Sequence, residues 1–418
     1  MKTRDAGLAV VNCGELVTLA GPARARTGRE LRELGIKRDA ALLVVDGRVA
    51  GVGSYSDLKL LFPTGIEVVD AGGRAVLPGF VDAHTHLVFG GNRVVEFEQR
   101  VGGKTYQEIA ASGGGIASTL RQTRKATEAE LTDAALRHAG WMLRGGTTTI
   151  EAKSGYGQTV ESELKILRVI AGLKEHTPLQ MVATVLAAHV VPPEYKKDRA
   201  AYVRLVQEEM LPVVAEQSLA RYCDVFCDEH AFTLDEARVI LMAAKQRGLE
   251  LRMHVEQFAA DGGAQLAAEL GATTADHLEY TEQTGINALR KAEVQPVLVP
   301  GSVFALGRSK YPDARAMIEA GLAPVLATDF NPGSSPMTSM AFVISLAALY
   351  MRMLPAEAIV AATMNAAASL GMAGEVGSLE TGKRADFVIH EFNDHREIAY
   401  YVAAAVRPQV YVAGRRAV

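Results

Sequence analysis

Apolar positions change their period twice along the chain. From Leu8 to Val69 they come in short runs, Leu8 to Val11, Ala41 to Val45, Val49 to Val52 and Ile66 to Val69, separated by polar and turn residues. Asp46-Gly47 stands between two of these runs. Asp-Gly between β-rich segments signals a hairpin, because both residues tolerate the left-handed backbone of its turn. The C-terminal stretch returns to this character, with strand-like runs at Ala385 to His390 and Gln409 to Val412 beside turns at Thr381-Gly382 and Ala413-Gly414. Neither piece has the apolar residues for a core of its own, which predicts that the two pack as one small β-sandwich.

Between them, strand-like runs alternate with segments of helical period. The candidate strands are Val76 to His86, Thr147 to Lys153, Gln180 to His189, Tyr222 to Glu229, Glu250 to Gln257, Thr273 to Glu279, Glu293 to Val299 and Leu322 to Phe330. Helices are expected at Glu128 to Leu143, Glu161 to Glu175, Leu234 to Arg247 and Ala264 to Leu270, each with a polar first turn or a following glycine. Eight strands alternating with helices over roughly 250 residues predict an α/β fold, a (β/α)8 TIM-like barrel. The domain reading is residues 1–75 as the N-terminal part of the sandwich, 76–375 as the barrel and 376–418 as the C-terminal part of the sandwich.

Composition narrows the function. With 44 basic against 48 acidic residues and no long run of either sign, the chain carries no nucleic-acid or membrane-surface footprint, so a small-molecule substrate is expected. No apolar run is long enough to span a bilayer, and the N-terminus is too polar for a signal segment. Cys13, Cys223 and Cys227 form no even framework and read as buried thiols of a cytoplasmic protein. A homodimer is expected as the commonest assembly.

In such a barrel the chemistry sits at the C-terminal ends of the strands. Those ends carry His84 and His86 on strand one, Glu151 and Lys153 on two, His189 on three, Asp228 and Glu229 on four, His254 on five, His277 on six and Asp329 on eight. Five of the ten histidines end predicted strands, more than random scatter would place there. His84 and His86, two residues apart on a strand, point to one face and can converge on one metal. Neutral imidazole suits zinc or iron. His138, His176, His390 and His395 fall in a helix, a loop and the β module and read as structural, whereas His230, directly after Glu229, is open to either reading. The longest glycine-rich connection, Phe89 to Ser118, follows strand one on the functional rim.

The run Pro78-Gly79-Phe80-Val81-Asp82-Ala83-His84-Thr85-His86, with His254, His277 and Asp329 at later strand ends, resembles the amidohydrolase superfamily of metal-dependent hydrolases across essentially the whole chain, through Gly382-Lys383-Arg384-Ala385-Asp386. Within it, Gly90-Gly91-Asn92-Arg93, Gly145 to Gly157, Ala275 to Glu279 and Thr328 to Ser334 are most similar to the imidazolonepropionase family. The resemblance implies one divalent or trivalent metal ion, zinc or iron, on His84, His86, His254 and Asp329, with a position open for water. Superfamily members with two metals usually bridge them with a modified lysine on strand four; Tyr222 to Glu229 contains none, which favours one metal. Lys153 reads as an ion-pair partner of Glu151.

The reaction implied is metal-assisted hydrolysis of the cyclic amide of 4-imidazolone-5-propanoate to N-formimidoyl-L-glutamate, in histidine degradation. Asp329 would take the water's proton and pass it on, and His277 would act as acid/base or oxyanion stabiliser. Arg93, Tyr156, His189, Gln257, Asn331, Gly333 and Ser334 would surround the substrate, with the planar fork of Arg93 on its propanoate. Some relatives carry Glu at the position of Gln257; an amide cannot remove a proton from water, so Gln257 is assigned to orienting the ring. A sister deaminase or cyclic amidase and a non-catalytic scaffold are the alternatives. Arg93 and the Asn331 to Ser334 loop argue against the first, and the filled ligand positions against the second.

Overall fold

The computed structural model describes residues 7–104, 108, 113–229 and 231–418; His230 and part of the glycine-rich connection lie outside the described residues. Both chain ends build one eight-stranded sheet. Its path runs Arg415–Arg416, Gln409–Val412, Phe387–Ile389, Ala75–Pro78, Leu8–Val17, Ile36–Val45, Arg48–Ser54, with Glu67–Asp70 also paired to Leu8–Val17. Alternation along the strands explains why the two ends need each other. Leu42 and Val44 from the N-terminal half share a buried cluster with Phe387, Ile389 and Tyr411 from the C-terminal half, and the Phe387 and Tyr411 rings stack at 4.5 Å. The alternate positions Leu77, Val388 and Val410 face the other way and join the barrel core.

The barrel strands follow in sequence order and run parallel: Phe80–Asp82, Thr147–Lys153, Gln180–Ala188, Tyr222–Cys227, Glu250–Val255, Thr274–His277, Gln295–Leu298 and Val325–Leu326. Helices Glu128–Arg144, Val160–Leu173, Leu234–Gln246 and Gly263–Leu270 lie where their periodicity predicts. The first and third begin at Thr-x-x-Glu capping boxes, Thr127 with Glu130 and Thr233 with Glu236. Among the described residues, no helix is long and apolar enough to cross a membrane.

The two outer barrel strands differ from expectation. The predicted strand Val76 to His86 is two strands: Ala75–Pro78 belongs to the terminal sheet, where Phe387 lies opposite Pro78, and only Phe80–Asp82 enters the barrel. The chain changes sheet at Gly79, where a Cβ would fall 2.2 Å from the Thr148 hydroxyl. The apolar run hides this break because both strands are buried on both faces. The expected boundary at 75/76 therefore falls inside a strand of the terminal sheet. Strand eight, expected from Leu322 to Phe330, shrinks to Val325–Leu326, and its continuation closes the seam with strand one by individual bonds. The Asp329 amide donates to the His84 carbonyl at 3.0 Å and the His86 amide to the Phe330 carbonyl at 2.8 Å. The Asp82 carboxylate accepts the Thr328 amide at 3.0 Å and its hydroxyl at 2.6 Å.

Candidate metal centre

His84 and His86 lie just past the end of the first barrel strand, and the residue between them is clamped. Thr85 donates its hydroxyl to the Glu151 carbonyl at 2.7 Å and its amide to Glu151 Oε2 at 3.3 Å, while its carbonyl accepts the Lys153 amide at 2.9 Å. Their ring centroids lie 5.4 Å apart, and His254 from strand five comes to 4.4 Å from His84. Across the seam, Asp329 Oδ1 lies 3.5 Å from His84 Nε2 and 3.4 Å from His86 Nε2.

Carboxylates fix the ring orientations. His84 Nδ1 lies 2.6 Å from Asp276 Oδ2, and His254 Nδ1 lies 3.0 Å from Asp224 Oδ1. That leaves His84 Nε2, His254 Nε2 and Asp329 Oδ2 buried with no hydrogen-bond partner among the described residues. An unmet buried polar group costs about 1–3 kcal/mol. Three of them in one cluster, two with the carboxylate–histidine support usual for metal-bound imidazole, fit a metal ion. Burial pushes His84 well below the ordinary histidine value and lowers His254 despite the opposing pull of Asp224, and both shifts favour the neutral form that metal binding requires. Asp329 is held low: burial would raise it, but the hydrogen bond from His86 and the charge of His277 outweigh that.

His277 stands within the same cluster. One ligating atom from each of His84, His254 and His277 can be chosen within 4.8 Å of one another, as can one from each of His84, His86 and Asp329. The other side of His277 is occupied: Nδ1 lies 3.4 Å from Glu279 Oε1, and this carboxylate outweighs burial and raises the imidazole to about 9. The backbone is unusual here, with φ of +83° at His277, +67° at Leu278 and +52° at Asp329. Such left-handed conformations in non-glycine residues cost on the order of 1 kcal/mol or more and cluster at functional sites.

The residues expected around a substrate divide into three groups. His189 stacks on His86 at 5.1 Å, and Tyr156 lies 5.2 Å from His189 and 5.8 Å from His86, so these two adjoin the metal cluster. Arg93, Asn331, Gly333 and Ser334 line a cavity of about 830 Å³ with Phe89 and Phe330. Glu96 takes Arg93 Nε at 2.7 Å and Nη2 at 2.6 Å, leaving Nη1 beside Gly333, where a Cβ would fall 2.2 Å from it. The Asn331 amide is engaged in building the loop: it donates to the Asp329 carbonyl and Ser334 Oγ and accepts the Gly333 and Ser334 amides, all at 2.7–2.9 Å. Gln257 borders a second cavity of about 420 Å³ with Glu279 and Arg308, and its backbone N–H donates to Asp228 Oδ2 at 2.8 Å.

The sequence profile of the amidohydrolase family matches residues 75–416. An imidazolonepropionase of Solibacter usitatus is 56% identical over 407 residues, covering 97% of each chain, and one of Symbiobacterium thermophilum is 46% identical over 99% of this chain and 97% of its own. The chain belongs to the imidazolonepropionase family of amidohydrolases. An adenosine deaminase from Xanthomonas campestris, solved with bound zinc, shares the fold at a TM-score of 0.68 and 19% identity, covering 98% of this chain and 92% of its own. Family membership and the histidine and aspartate clusters together support a metal cofactor for this imidazolonepropionase-family chain.

Three site residues escape a reading of strand ends: Asp224, Arg252 and Asp276, all fully buried. Lys153 is the ion-pair partner of Glu151, at 2.8 Å, and also reaches Asp224 at 2.6 Å and Asp276 at 3.7 Å. Asp224 is a lone carboxylate inside the apolar run Tyr222–Cys227, and such a group needs a buried partner, which is the signal that could have singled it out. Arg252 precedes His254 by two residues and so shares its face. Cys223 and Cys227 are buried free thiols, with burial pushing Cys227 up to about 12.

Proposed function

We propose that this chain hydrolyses the cyclic amide of 4-imidazolone-5-propanoate to N-formimidoyl-L-glutamate, using a single zinc or iron ion held by His84, His86, His254 and Asp329. The observation that carries the residue assignment is the convergence of unpartnered, buried His84 Nε2, His254 Nε2 and Asp329 Oδ2 directly before the loop that lines the Arg93 cavity. An ion bound there supplies the Lewis acidity that makes water a nucleophile near neutral pH.

The side chains divide the remaining work. Asp329 takes one proton from the attacking water and delivers it to the ring nitrogen, the leaving group, as the C–N bond breaks; the carbonyl carbon becomes a carboxylic acid, which gives up the second proton to become the carboxylate. His277, with Nδ1 occupied by Glu279, turns its other ring nitrogen to the developing oxyanion. Arg93 meets the propanoate through Nη1, the part of its fork that Glu96 leaves open. Tyr156 and His189 supply neutral hydrogen bonds beside His86, Gln257 orients the ring, and Gly333 and Ser334 shape the loop opposite Arg93. The protein is further proposed to act as a cytoplasmic homodimer. Buried free thiols suit a reducing compartment, and exposed Leu349, Tyr350, Tyr400 and Tyr401 offer an apolar surface.

The test is incubation of the purified protein with freshly generated imidazolonepropionate while its ultraviolet absorbance is followed. Loss of absorbance that a strong chelator abolishes and zinc or ferrous ion restores is the expected result. Unchanged absorbance with metal-loaded protein refutes the proposal.

A further inference from the structure

We infer that Lys153 is a positioning residue for the metal: its single ammonium ties together the carboxylates that support three of the four proposed ligands. The inference rests on the reading of His84, His86, His254 and Asp329 as those ligands. Lys153 Nζ contacts Glu151 Oε1 at 2.8 Å, Asp224 Oδ2 at 2.6 Å and Asp276 Oδ2 at 3.7 Å, and every side chain involved is inaccessible to solvent.

Each of those carboxylates has a second task. The other oxygen of Asp224 holds His254 Nδ1 at 3.0 Å, and the same Oδ2 of Asp276 holds His84 Nδ1 at 2.6 Å. The other oxygen of Glu151 accepts the amide of Thr85, the residue between His84 and His86. Lys153 also donates its backbone amide to the Thr85 carbonyl at 2.9 Å, so main chain and side chain act on the same segment. A carboxylate with one anchored oxygen can still swing about its χ torsions; at Asp224 and Glu151 the ammonium anchors the second oxygen and removes that freedom, whereas at Asp276 it lies near the oxygen that already holds His84.

The other buried cation of this layer does not duplicate the role. Arg252 directs its hydrogen bonds to backbone, to the Ala83 carbonyl at 2.8 Å and the Ser369 carbonyl at 3.2 Å; it comes as near Asp276, at 3.8 Å, as Lys153 does, but stays 3.8 Å from Glu151, so the short contacts to Glu151 and Asp224 are those of Lys153. Arg252 supports the chain; Lys153 supports the carboxylates.

Electrostatics gives the test a sign. A positive charge this close to a bound dication repels it, so deleting the charge alone would tighten metal binding. Loss of orientation acts the other way, and removal of a group supporting metal ligands typically weakens affinity by about 10–100-fold. The experiment measures zinc affinity of full-length, metal-free wild type and Lys153→Met by competition with a chromophoric chelator, with circular dichroism confirming the fold. Wild type binding one zinc and Lys153→Met binding it about 10–100-fold more weakly is the expected outcome. Equal or tighter binding by folded Lys153→Met overturns the inference. Lys153→Gln, shorter by one atom and unable to hold three carboxylates, serves if the methionine variant does not fold; it is expected to weaken zinc binding too, and unchanged affinity overturns the inference equally. A folded wild type that takes up no zinc instead refutes the ligand assignment on which the inference rests.

Discussion

The terminal sheet and the barrel interior solve the same problem with opposite materials. Both bury inward-facing residues of β-strands, yet the terminal sheet fills its interior with Leu16, Leu42, Val44, Phe387 and Tyr411, whereas the barrel strands enclose Glu151, Lys153, Asp224, Arg252 and Asp276. Barrel interiors are ordinarily layered with Val, Ile and Leu. Buried ion pairs are weak evidence for stability, because desolvation consumes much of their attraction. The terminal sheet therefore adds an apolar core of its own to the one between barrel strands and helices, in a chain whose barrel interior aims imidazoles. If that division holds, substitutions in the two regions separate into those that remove chemistry and those that remove stability.

The largest effect is expected at Asp329. Asp329→Asn removes a charged ligand and the proton acceptor together, so kcat should collapse by about 10⁴-fold or more and bound metal should fall. His277→Asn should lower kcat by about 10²- to 10³-fold while metal stays in place. Turnover and elemental analysis on one preparation of each variant check both. A His277→Asn protein with full kcat, or without metal, would remove the distinction drawn between metal ligand and oxyanion stabiliser.

The counterpart in the terminal sheet is Phe387→Ala. Deleting a fully buried aromatic ring stacked on Tyr411 should cost about 3–5 kcal/mol in denaturant unfolding, with kcat of the folded fraction unchanged. A large drop in kcat at low denaturant would show that the two regions are not separable. Arg93→Ala should cost about 2–4 kcal/mol in kcat/KM, mainly through KM, because Arg93 meets the charged tail rather than the reacting carbon. Steady-state kinetics decide, and an unchanged kcat/KM would return Arg93 to a partner of Glu96 alone.

The smallest effect is pH-dependent and lies in the terminal sheet. His390 is buried beside Phe80 and Phe392, its Nε2 has no partner among the described residues, and burial lowers it from 6.5 to about 4. The native state thus disfavours the charged form. The stability this gives is complete above about pH 6.5 and is lost as pH falls towards 4, reaching on the order of 1–3 kcal/mol. Replacing His390 with Phe should flatten that part of the acid limb in urea unfolding series. An identical slope between pH 6.5 and 4 in both proteins would assign the acid sensitivity elsewhere.

The same contrast explains what could be read from sequence. In the terminal sheet, alternation at Phe387–Ile389 and the Asp46-Gly47 turn are local signals, and the pairing of the chain ends followed from their shortage of apolar residues. At the barrel rim, His84, His86, His189, His254, His277 and Asp329 were legible because they stand where apolar runs stop. Asp224 and Arg252 were not, because they lie inside their strands and their partners come from other strands. Asp276 was masked by its neighbour His277. The change of sheet at Gly79 was illegible for a different reason: an apolar run carries no mark of which sheet buries it.

Metal stoichiometry tests the central claim most directly. Purified wild type and His84→Ala, His254→Ala and Asp329→Ala variants, each shown to be folded, are compared by elemental analysis after dialysis without metal. The account predicts about one zinc or iron ion per wild-type chain and a marked loss in every variant. Two tightly bound ions in wild type, or full metal content in a folded His84→Ala or His254→Ala protein, would contradict it.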